Sequence, residues 1–200
     1  MYIPKHFIVD DPDWIRSFMR ANAFATLVTT LRGELFATHL PFLYDPKPAP
    51  LGRLRAHMAR ANPHWQSFGD SGQLVIFTGP HAYVSPTWYK TDAAAVPTWN
   101  YTAVHVYGKA KIVDDPSDVR ELLRTLTDRE EAGMNPRYTV EDVDKEYFEH
   151  MARQIVAFEI PIVRIEAKAK LSQNRTPEER RRVADTLGGD LKALMEEISL

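Results

Sequence analysis

The stretch GPHAYVSPTWYKTDAAAVPTWN, residues 79–100, combines glycine and proline with closely spaced aromatic rings. An apolar run at residues 74–77 precedes it, and a longer strand-like run, residues 99–112, follows it. Proline fixes the backbone φ angle, and Trp and Tyr supply a large contact area at low rotamer cost, so such a loop between strands can wall a flat pocket. The alternative is an aromatic-rich loop that only plugs the end of a β-barrel.

The composition is that of one globular domain. The chain has 200 residues, 44% of them hydrophobic, which is enough for a proper core. A net charge of −2 disfavours general binding to nucleic acid, because that affinity comes from clustered Lys and Arg. Cysteine is absent, which excludes disulfides, thiolate metal sites and cysteine nucleophiles. With no signal-like start and no long apolar run, we expect a cytoplasmic protein without a membrane segment.

Local signals predict a mainly β fold with flanking α-helices. Helices are predicted after Asp11-Pro12, after Asp115-Pro116 and after the capping box at residues 176–179. A further helix is predicted from Thr139, with Val140, Val143, Tyr147 and Met151 as its apolar stripe. The predicted strands are residues 23–31, 35–44, 53–59, 74–77, 99–112 and 155–165. Pro161 predicts that the last strand lies at an edge or contains a bulge.

Several common chemistries have no support in the sequence. There is no GxGxxG or GxxxxGK[ST] motif, and the seven histidines include no HxH or HExxH pattern. Ser85-Pro86 lacks the GxSxG elbow of hydrolases, and between Gly79 and Gly108 the only carboxylate is Asp92. We therefore assign no catalytic residue and no metal site. An acid-poor site of this kind suits an anionic, electron-accepting ligand.

Four sequence blocks carry a resemblance to a known family. They are HMARANPHW (57–65), GPHAYVSPTWY (79–89), VPTWNY-x3-HVYGKA (96–110) and KLSQNR (170–175). In this order they resemble the PaiB-like family of FMN-binding split-barrel proteins, often labelled negative transcriptional regulators. The resemblance implies a split-barrel domain at residues 1–175 with a C-terminal helical extension at 176–200. It also implies a homodimer that holds FMN and acts as a flavin-dependent reductase or oxidase on an unknown small molecule.

The same resemblance suggests which residues contact the flavin. His57, Arg60 and Asn62 lie in the block where split barrels seat the FMN phosphate. We expect residues 170–175 to cover the flavin, with a cation near its pyrimidine edge. The other candidate contacts are the ring walls Trp88 and Trp99, the polar groups Thr78, Ser85 and Asn100, and, in the covering segment, Lys170, Gln173 and Arg175.

Two alternatives remain open. A related group of split barrels binds haem, and an axial ligand could come from His39, His57, His81 or His105, which lie in or beside predicted strands. The regulator label suggests DNA binding, for which the support is the run Arg180-Arg181-Arg182 and a helix-Gly-Gly-helix arrangement. Residues 190–200 carry one Lys against three acids, so direct reading of DNA is disfavoured. We interpret the arginine run as a solvated helix face.

Overall fold

The computed structural model describes residues 1–69, 71–90 and 95–198, and Asp92 lies outside them. Antiparallel strands and five α-helices dominate it, which confirms the predicted mainly β fold class. The helices are α1 (Pro12–Ala21), α2 (Pro116–Glu130), α3 (Lys145–Ala152), α4 (Pro177–Leu187) and α5 (Gly189–Glu197). The strands are β1 (Ile8–Val9), β2 (Phe24–Leu31), β3 (Glu34–Pro41), β4 (Leu43–Asp45), β5 (Arg53–Ala59), β6 (Gln73–Val84), β7 (Thr98–Gly108), β8 (Lys111–Val113) and β9 (Ile155–Lys170). Within the described ranges, no helix is long and apolar enough to cross a bilayer.

The strands pair in the order β3-β2-β6-β7-β9-β5-β4, and β1 and β8 also pair with β9. The chain forms two compact units. Unit one comprises Met1–Asn22, Phe77–His105 and Glu166–Leu200, and unit two comprises Ala23–Ile76 and Val106–Ile165. The division into residues 1–175 and 176–200 stays a prediction about domains; α4 and α5 belong to unit one.

In unit two the hairpin and the β5 alternation form as predicted. β2 and β3 pair from Phe24↔Pro41 to Leu31↔Glu34, and β4 is a separate short strand paired with β5. On β5, Leu54, Ala56 and Met58 are all buried, as expected of one face of a strand with a period of two. Leu122 and Leu126 of α2 pack against Ala157. Burial of this apolar stripe is what holds α2 on the strands.

The last strand differs from the prediction. β9 runs from Ile155 to Lys170, is the longest strand, and has β5 and β7 as neighbours, so the predicted end at residue 165 and the predicted edge position are wrong. Gly108 explains how a proline fits inside the sheet. A Cβ at Gly108 would collide with the backbone oxygen of Pro161, so only glycine lets β7 and β9 approach each other so closely there.

The helix predicted from Thr139 starts later than expected, and its predicted apolar stripe is wrong. A 3₁₀ turn, Val140–Asp142, ends before α3, and Asp144 then starts a new helix by accepting hydrogen bonds from the amides of Glu146 and Tyr147. This restart changes the rotational phase of the helix. Val140 is buried, whereas Tyr147 and Met151 are exposed.

In unit one the helix caps form as the sequence predicts. Asp11 caps α1, and Thr176 and Glu179 form the capping box of α4. Gly188, with φ of +62°, ends α4 in a conformation that glycine adopts without strain. A core cluster joins α4 and α5 to the strand ends of this unit; its buried members include Val84, Tyr89, Leu171, Val183, Leu191 and Met195.

The predicted loop begins later than expected. β6 continues through Gly79 and Pro80 to Val84, so the first six residues of the stretch 79–100 are strand. A Cβ on Gly79 would lie 2.6 Å from Cε2 of Phe18, and this close approach requires glycine. Beyond Gly79 the burial alternation changes phase, because Phe77 is buried at an odd position and Val84 at an even one. His81 and Tyr83 consequently face outward.

Candidate functional site

A small cavity in unit one gathers several of the predicted cofactor contacts. It has a volume of about 120 Å³ and lies where β7 begins and β9 ends. Pockets that enclose a whole small-molecule ligand measure about 300–1,000 Å³, so this cavity has room for one polar portion of such a ligand. Its wall includes Tyr89, Thr98, Asn100, Lys170, Ser172 and Arg175.

Two cations in this wall are held by neutral groups. The Nζ of Lys170 donates to the hydroxyl of Thr98 and, at 2.8 Å, to the carbonyl of Trp99. The guanidinium of Arg175 lies 4.2 Å from the ring centroid of Tyr89. Among the residues that the structure describes, no carboxylate pairs with either cation. Burial, and then the nearby charge of Lys168, lower the pKa of Lys170, so an anion beside it would relieve an unfavourable electrostatic position.

The turn after β9 is fixed by its own polar groups. Ser172 has a φ of +63°, a left-handed conformation that is uncommon for a residue with a side chain, and its hydroxyl donates to Oδ1 of Asn100 at 3.1 Å. The amide of Gln173 is used on both sides, since Oε1 accepts from the backbone N–H of Leu171 and Nε2 donates to the carbonyl of Ala169. Asn100 and Ser172 are buried in the cavity wall, while Gln173 shapes the turn.

An outward aromatic cluster lies on β6 and β7 in the same unit. Trp99 is 53% exposed, and its ring centroid lies 6.2 Å from that of Tyr83 and 6.4 Å from that of His81. The Tyr83 ring stands edge-on to Trp99, with 76° between the ring planes, and the His81 ring is tilted by 37°. The half-exposed Trp99 ring is therefore the member of the cluster on which a planar ligand can stack. Thr78 is exposed on β6.

Trp88 and Ser85 are used elsewhere in unit one. Trp88 packs against the core cluster around Val84 and Tyr89. Ser85 caps the 3₁₀ turn Pro86–Trp88, accepting from the amide of Thr87, and its hydroxyl also bonds the Thr87 hydroxyl. Both residues therefore have structural roles that position the loop.

In unit two, Asn62 belongs to a closed polar network. Its Oδ1 accepts from the amide of His64 at 3.0 Å, and its Nδ2 donates to Oγ1 of Thr38 at 3.1 Å. Thr38 in turn bonds Nδ1 of His64 at 2.8 Å. Asn62 caps a 3₁₀ turn, Pro63–Ser67. Because Pro63 has no N–H and the amide of His64 is already bonded, the start of this turn offers a phosphate fewer free donors than the first turn of a helix usually does.

His64 is a buried, neutral histidine. Its side chain is 0% exposed, and its ring contacts those of Phe36 and Phe68. Oγ1 of Thr38 and Nδ1 of His64 share a hydrogen bond, and Nε2 of His64 has no hydrogen-bond partner among the described residues. Burial lowers the pKa of His64 to about 4. The ring therefore packs as a core residue and carries no charge at neutral pH.

Arg60, the residue after β5, differs in its partners from Arg53 and Arg55 on that strand. Its Nε and Nη2 donate to the carbonyls of Arg153 and Ile155, at 2.9 and 2.7 Å, and these acceptors orient the guanidinium without neutralising it. Arg53 pairs with Asp45 and Glu159, and Arg55 pairs with Glu121. Of these three cations, Arg60 is the one left with its full charge.

The two predicted histidines of unit two lie in different environments. His57 is half-buried on β5, its Nδ1 has no hydrogen-bond partner within the described part of the chain, and burial lowers its pKa. His39 is exposed on β3 beside the ring of Phe24, with centroids 6.4 Å apart. Within the described ranges, no group of three or more His, Asp and Glu side chains is arranged to hold a metal ion.

The interpretation of the arginine run as a solvated face is wrong for Arg180. This half-buried side chain donates to the carbonyls of Leu171 and Ile198, and burial lowers its pKa. Arg182 donates to the carbonyl of Tyr89. Two of the three arginines thus tie α4 to neighbouring parts of unit one, which leaves Arg181 as the member of the run with no such bond.

The structure brings together some predicted contacts and adds others. Asn100, Lys170 and Arg175 meet at the small cavity, and Trp99 lies in the aromatic cluster. Tyr89 and Ser172 were missed, although both lie inside sequence blocks that carried the resemblance. Their roles depend on long-range packing and on an unusual φ angle, neither of which spacing reveals.

The family resemblance is confirmed by comparison with known proteins. The family described as “Putative FMN-binding domain” matches residues 1–164. The “Protease synthase and sporulation protein PAI 2” of Bacillus subtilis strain 168 is 40% identical over 176 residues, covering 88% of this chain and 83% of that protein.

Solved structures show the same fold at low identity. The flavocytochrome Anf3 from Azotobacter vinelandii matches with a TM-score of 0.65 and 16% identity, over 88% of this chain and 73% of that one. An FAD- and haem-binding protein from Mycobacterium smegmatis matches with a TM-score of 0.61 and 15% identity, over 90% and 80% respectively. At such identities the likeness establishes the fold alone.

Proposed function

We propose that this chain, which belongs to the FMN-binding domain family, is a homodimeric flavoprotein that binds FMN and acts as a flavin-dependent reductase or oxidase on a small molecule. One observation carries the proposal. Lys170 and Arg175 converge on a cavity in which the described residues supply hydroxyl, amide, carbonyl and ring groups but no carboxylate. Cations that lack acidic partners are suited to an anionic, electron-accepting ligand.

The donor set fits the pyrimidine edge of a flavin. That edge carries carbonyl oxygens and ring nitrogens, which need hydrogen-bond donors and gain electron density on reduction. Lys170 and Arg175 supply positive charge, and Asn100 supplies an amide in the same wall. When bound, the flavin would supply the electron transfer. These residues would orient it and favour its reduced form, while the aromatic cluster around Trp99 offers a stacking surface.

Arg60 is the proposed contact for the phosphate group. Its guanidinium is held in place by two carbonyls and remains uncompensated, so a phosphate would meet a positioned charge and little further ordering would be needed. His57 lies in the same sequence block. We expect FMN to bind more tightly than FAD, because one arginine suits a single terminal phosphate.

The exposed face of the β2–β3 hairpin supports the homodimer. Phe24 and Leu35 are 68% and 83% exposed, and Ala37 and His39 are exposed on the same strand as Leu35. The register pairs Thr26 with His39, Val28 with Ala37 and Thr30 with Leu35, so these side chains share one face of the hairpin. Contiguous exposed apolar surface of this kind is typical of protein interfaces.

The test is reconstitution with each cofactor. Purified protein is titrated with FMN, FAD and haem, and binding is followed by flavin fluorescence and visible absorbance. We expect FMN to bind most tightly, and Arg60→Ala to weaken it by about tenfold to a hundredfold, the scale of a charge-assisted contact. Arg20→Ala, an exposed cation of α1, is the control. The absence of flavin binding, or a Soret band with no flavin affinity, would overturn the proposal.

A regulatory role is the second candidate, because the Bacillus relative is named for protease synthesis and sporulation. In that case the flavin would act as a sensor or be absent. Direct DNA binding is expected to be weak, salt-sensitive and without sequence preference, since Arg180 and Arg182 are occupied by backbone carbonyls. A nanomolar complex with one DNA sequence at physiological salt would favour the regulator instead.

A further inference from the structure

Unit two contains a larger cavity, and of its lining residues Arg60 alone belongs to the proposed flavin site. It has a volume of about 630 Å³ and lies between the first turns of α2, the helix α3, the strand β8 and the start of β9. This volume falls within the range of about 300–1,000 Å³ that is usual for small-molecule sites.

Part of the cavity lining is apolar. Val119 on α2, Phe148 on α3 and Val156 on β9 belong to it. α3 has no fully buried residue, although Phe148 and Ala152 face the cavity, so this helix gains little from packing in the structure as it stands. An apolar ligand beneath α3 would bury the surface that the protein itself leaves uncovered.

The charged side chains of the cavity are mainly positive. They are Arg60, Arg120, Lys145 and Arg153, against Asp114 and Glu149. Arg60 is held by carbonyls, and Lys145 lies 3.9 Å from Glu149. Arg120 stacks over the ring of Phe148, at 4.6 Å from the centroid, and Arg153 is exposed. Neither Arg120 nor Arg153 has a carboxylate partner among the described residues.

We propose that this cavity binds an amphiphilic carboxylate, whose apolar body lies between α2, α3 and β9 and whose head is taken by Arg120 and Arg153. A planar guanidinium binds a carboxylate through two parallel hydrogen bonds. A ligand with a neutral head would leave the charges of Arg120 and Arg153 without a partner, and a ligand with a cationic head would be repelled by them. The inference stands apart from the flavin proposal; Arg60 is the one residue common to both, and its guanidinium is held by backbone carbonyls.

The test compares three ligands with the same ten-carbon chain: decanoate, decanol and decyltrimethylammonium. Binding to the full chain is measured by calorimetry, with and without saturating FMN. We expect decanoate to bind one per chain, about tenfold or more tighter than decanol, and the ammonium compound not to bind. Arg120→Ala and Arg153→Ala should each weaken decanoate by about tenfold and leave decanol unchanged.

Two further variants serve as controls, one outside the cavity and one that fills it. Arg124→Ala removes an exposed cation from the same helix, outside the cavity, and should leave decanoate binding unchanged. Ala152→Trp should fill the cavity and abolish binding of both decanoate and decanol while the melting temperature is retained. Equal binding of decanoate and decanol, an equal loss in Arg124→Ala, or stoichiometric displacement by FMN would each overturn the proposal. If Arg120→Ala fails to fold, Arg153→Ala decides the outcome.

Discussion

The cations of β5 and those at the end of β9 have opposite kinds of partner. Arg53 and Arg55 are paired with carboxylates from β4, β9 and α2. Lys170 and Arg175 are held by a hydroxyl, a carbonyl and an aromatic ring. A carboxylate neutralises a cation and fixes the fold, whereas neutral partners orient the cation and leave its charge for a ligand. The difference separates structural cations from candidate binding cations.

The largest effect on FMN affinity is expected of the double variant Lys170→Ala/Arg175→Ala, which removes both candidate binding cations. If both cations contact the flavin, and each contact contributes about 2 kcal/mol, FMN affinity should fall by about a thousandfold. The melting temperature of the cofactor-free protein should change little, because neither side chain is in an ion pair with a described residue. Fluorescence titration and thermal melts on the same samples measure both quantities.

Arg181→Ala, an exposed position on α4, is the matched control and should leave FMN affinity unchanged. Unchanged flavin affinity in the double variant, together with a collapsed melting temperature, would assign both cations to the fold.

His64 extends the comparison to a basic side chain that has no acidic partner among the residues that the structure describes. Its pKa is about 4 in the folded protein and about 6.5 when unfolded, so below pH 6.5 the unfolded state binds a proton that the folded state does not. The free energy of unfolding should therefore fall as the pH drops from 6.5 to about 4. The expected loss is about 3 kcal/mol, at 1.36 kcal/mol per pKa unit.

Urea unfolding at a series of pH values checks this expectation. His64→Phe should flatten the dependence, leaving a smaller contribution from His57 and His105, whose pKa values burial also lowers. His150→Gln, an exposed histidine of α3, should behave like the natural sequence. An unaltered pH profile in His64→Phe would contradict the assignment.

The smallest expected effect is the loss of stability when a cation that is already paired with carboxylates is removed. Arg53 is about one-third exposed and bonds both Asp45 and Glu159, so Arg53→Ala should cost about 1 kcal/mol of unfolding free energy after allowance for solvent screening. FMN affinity should not change. Arg137→Ala, which removes an exposed pair with Asp128, should change neither quantity measurably. A loss of flavin affinity in Arg53→Ala would remove the distinction between the two groups of cations.

Local signals correctly predicted three helix starts and the alternation of buried residues on β5, but not the helix start at Thr139. Asp11-Pro12, Asp115-Pro116 and Thr176 act on the adjacent turn, so their effect is visible in the sequence. The end of β9 was missed because its residues 166–170, EAKAK, have low strand propensity. Pairing with β1, in the register Ile8↔Lys168, overrides that preference. Strand pairing between residues so far apart in the chain cannot be predicted from the local sequence.

The same limit applies to the candidate site. The sequence blocks named Lys170, Arg175 and Asn100, and the cavity of unit one contains all three. The blocks singled out Arg60, but they could not show that the nearby Arg55 is paired with a carboxylate, because its partner, Glu121, lies on a helix far along the chain. Nor could they show that Gln173 would bond its own backbone. Which polar groups remain available to a ligand is decided by tertiary contacts.

The internal hydrogen bonds of the turn after β9 also affect the rate at which a ligand binds. Gln173 closes it with two hydrogen bonds, and the amide of Arg175 donates to the carbonyl of Ser172 at 3.0 Å, so the segment is already shaped before a ligand arrives. A preformed wall spares a ligand the entropy cost of ordering it. Association should then follow a single phase without a slow conformational step, and substitutions in the cavity should alter mainly the lifetime of the complex.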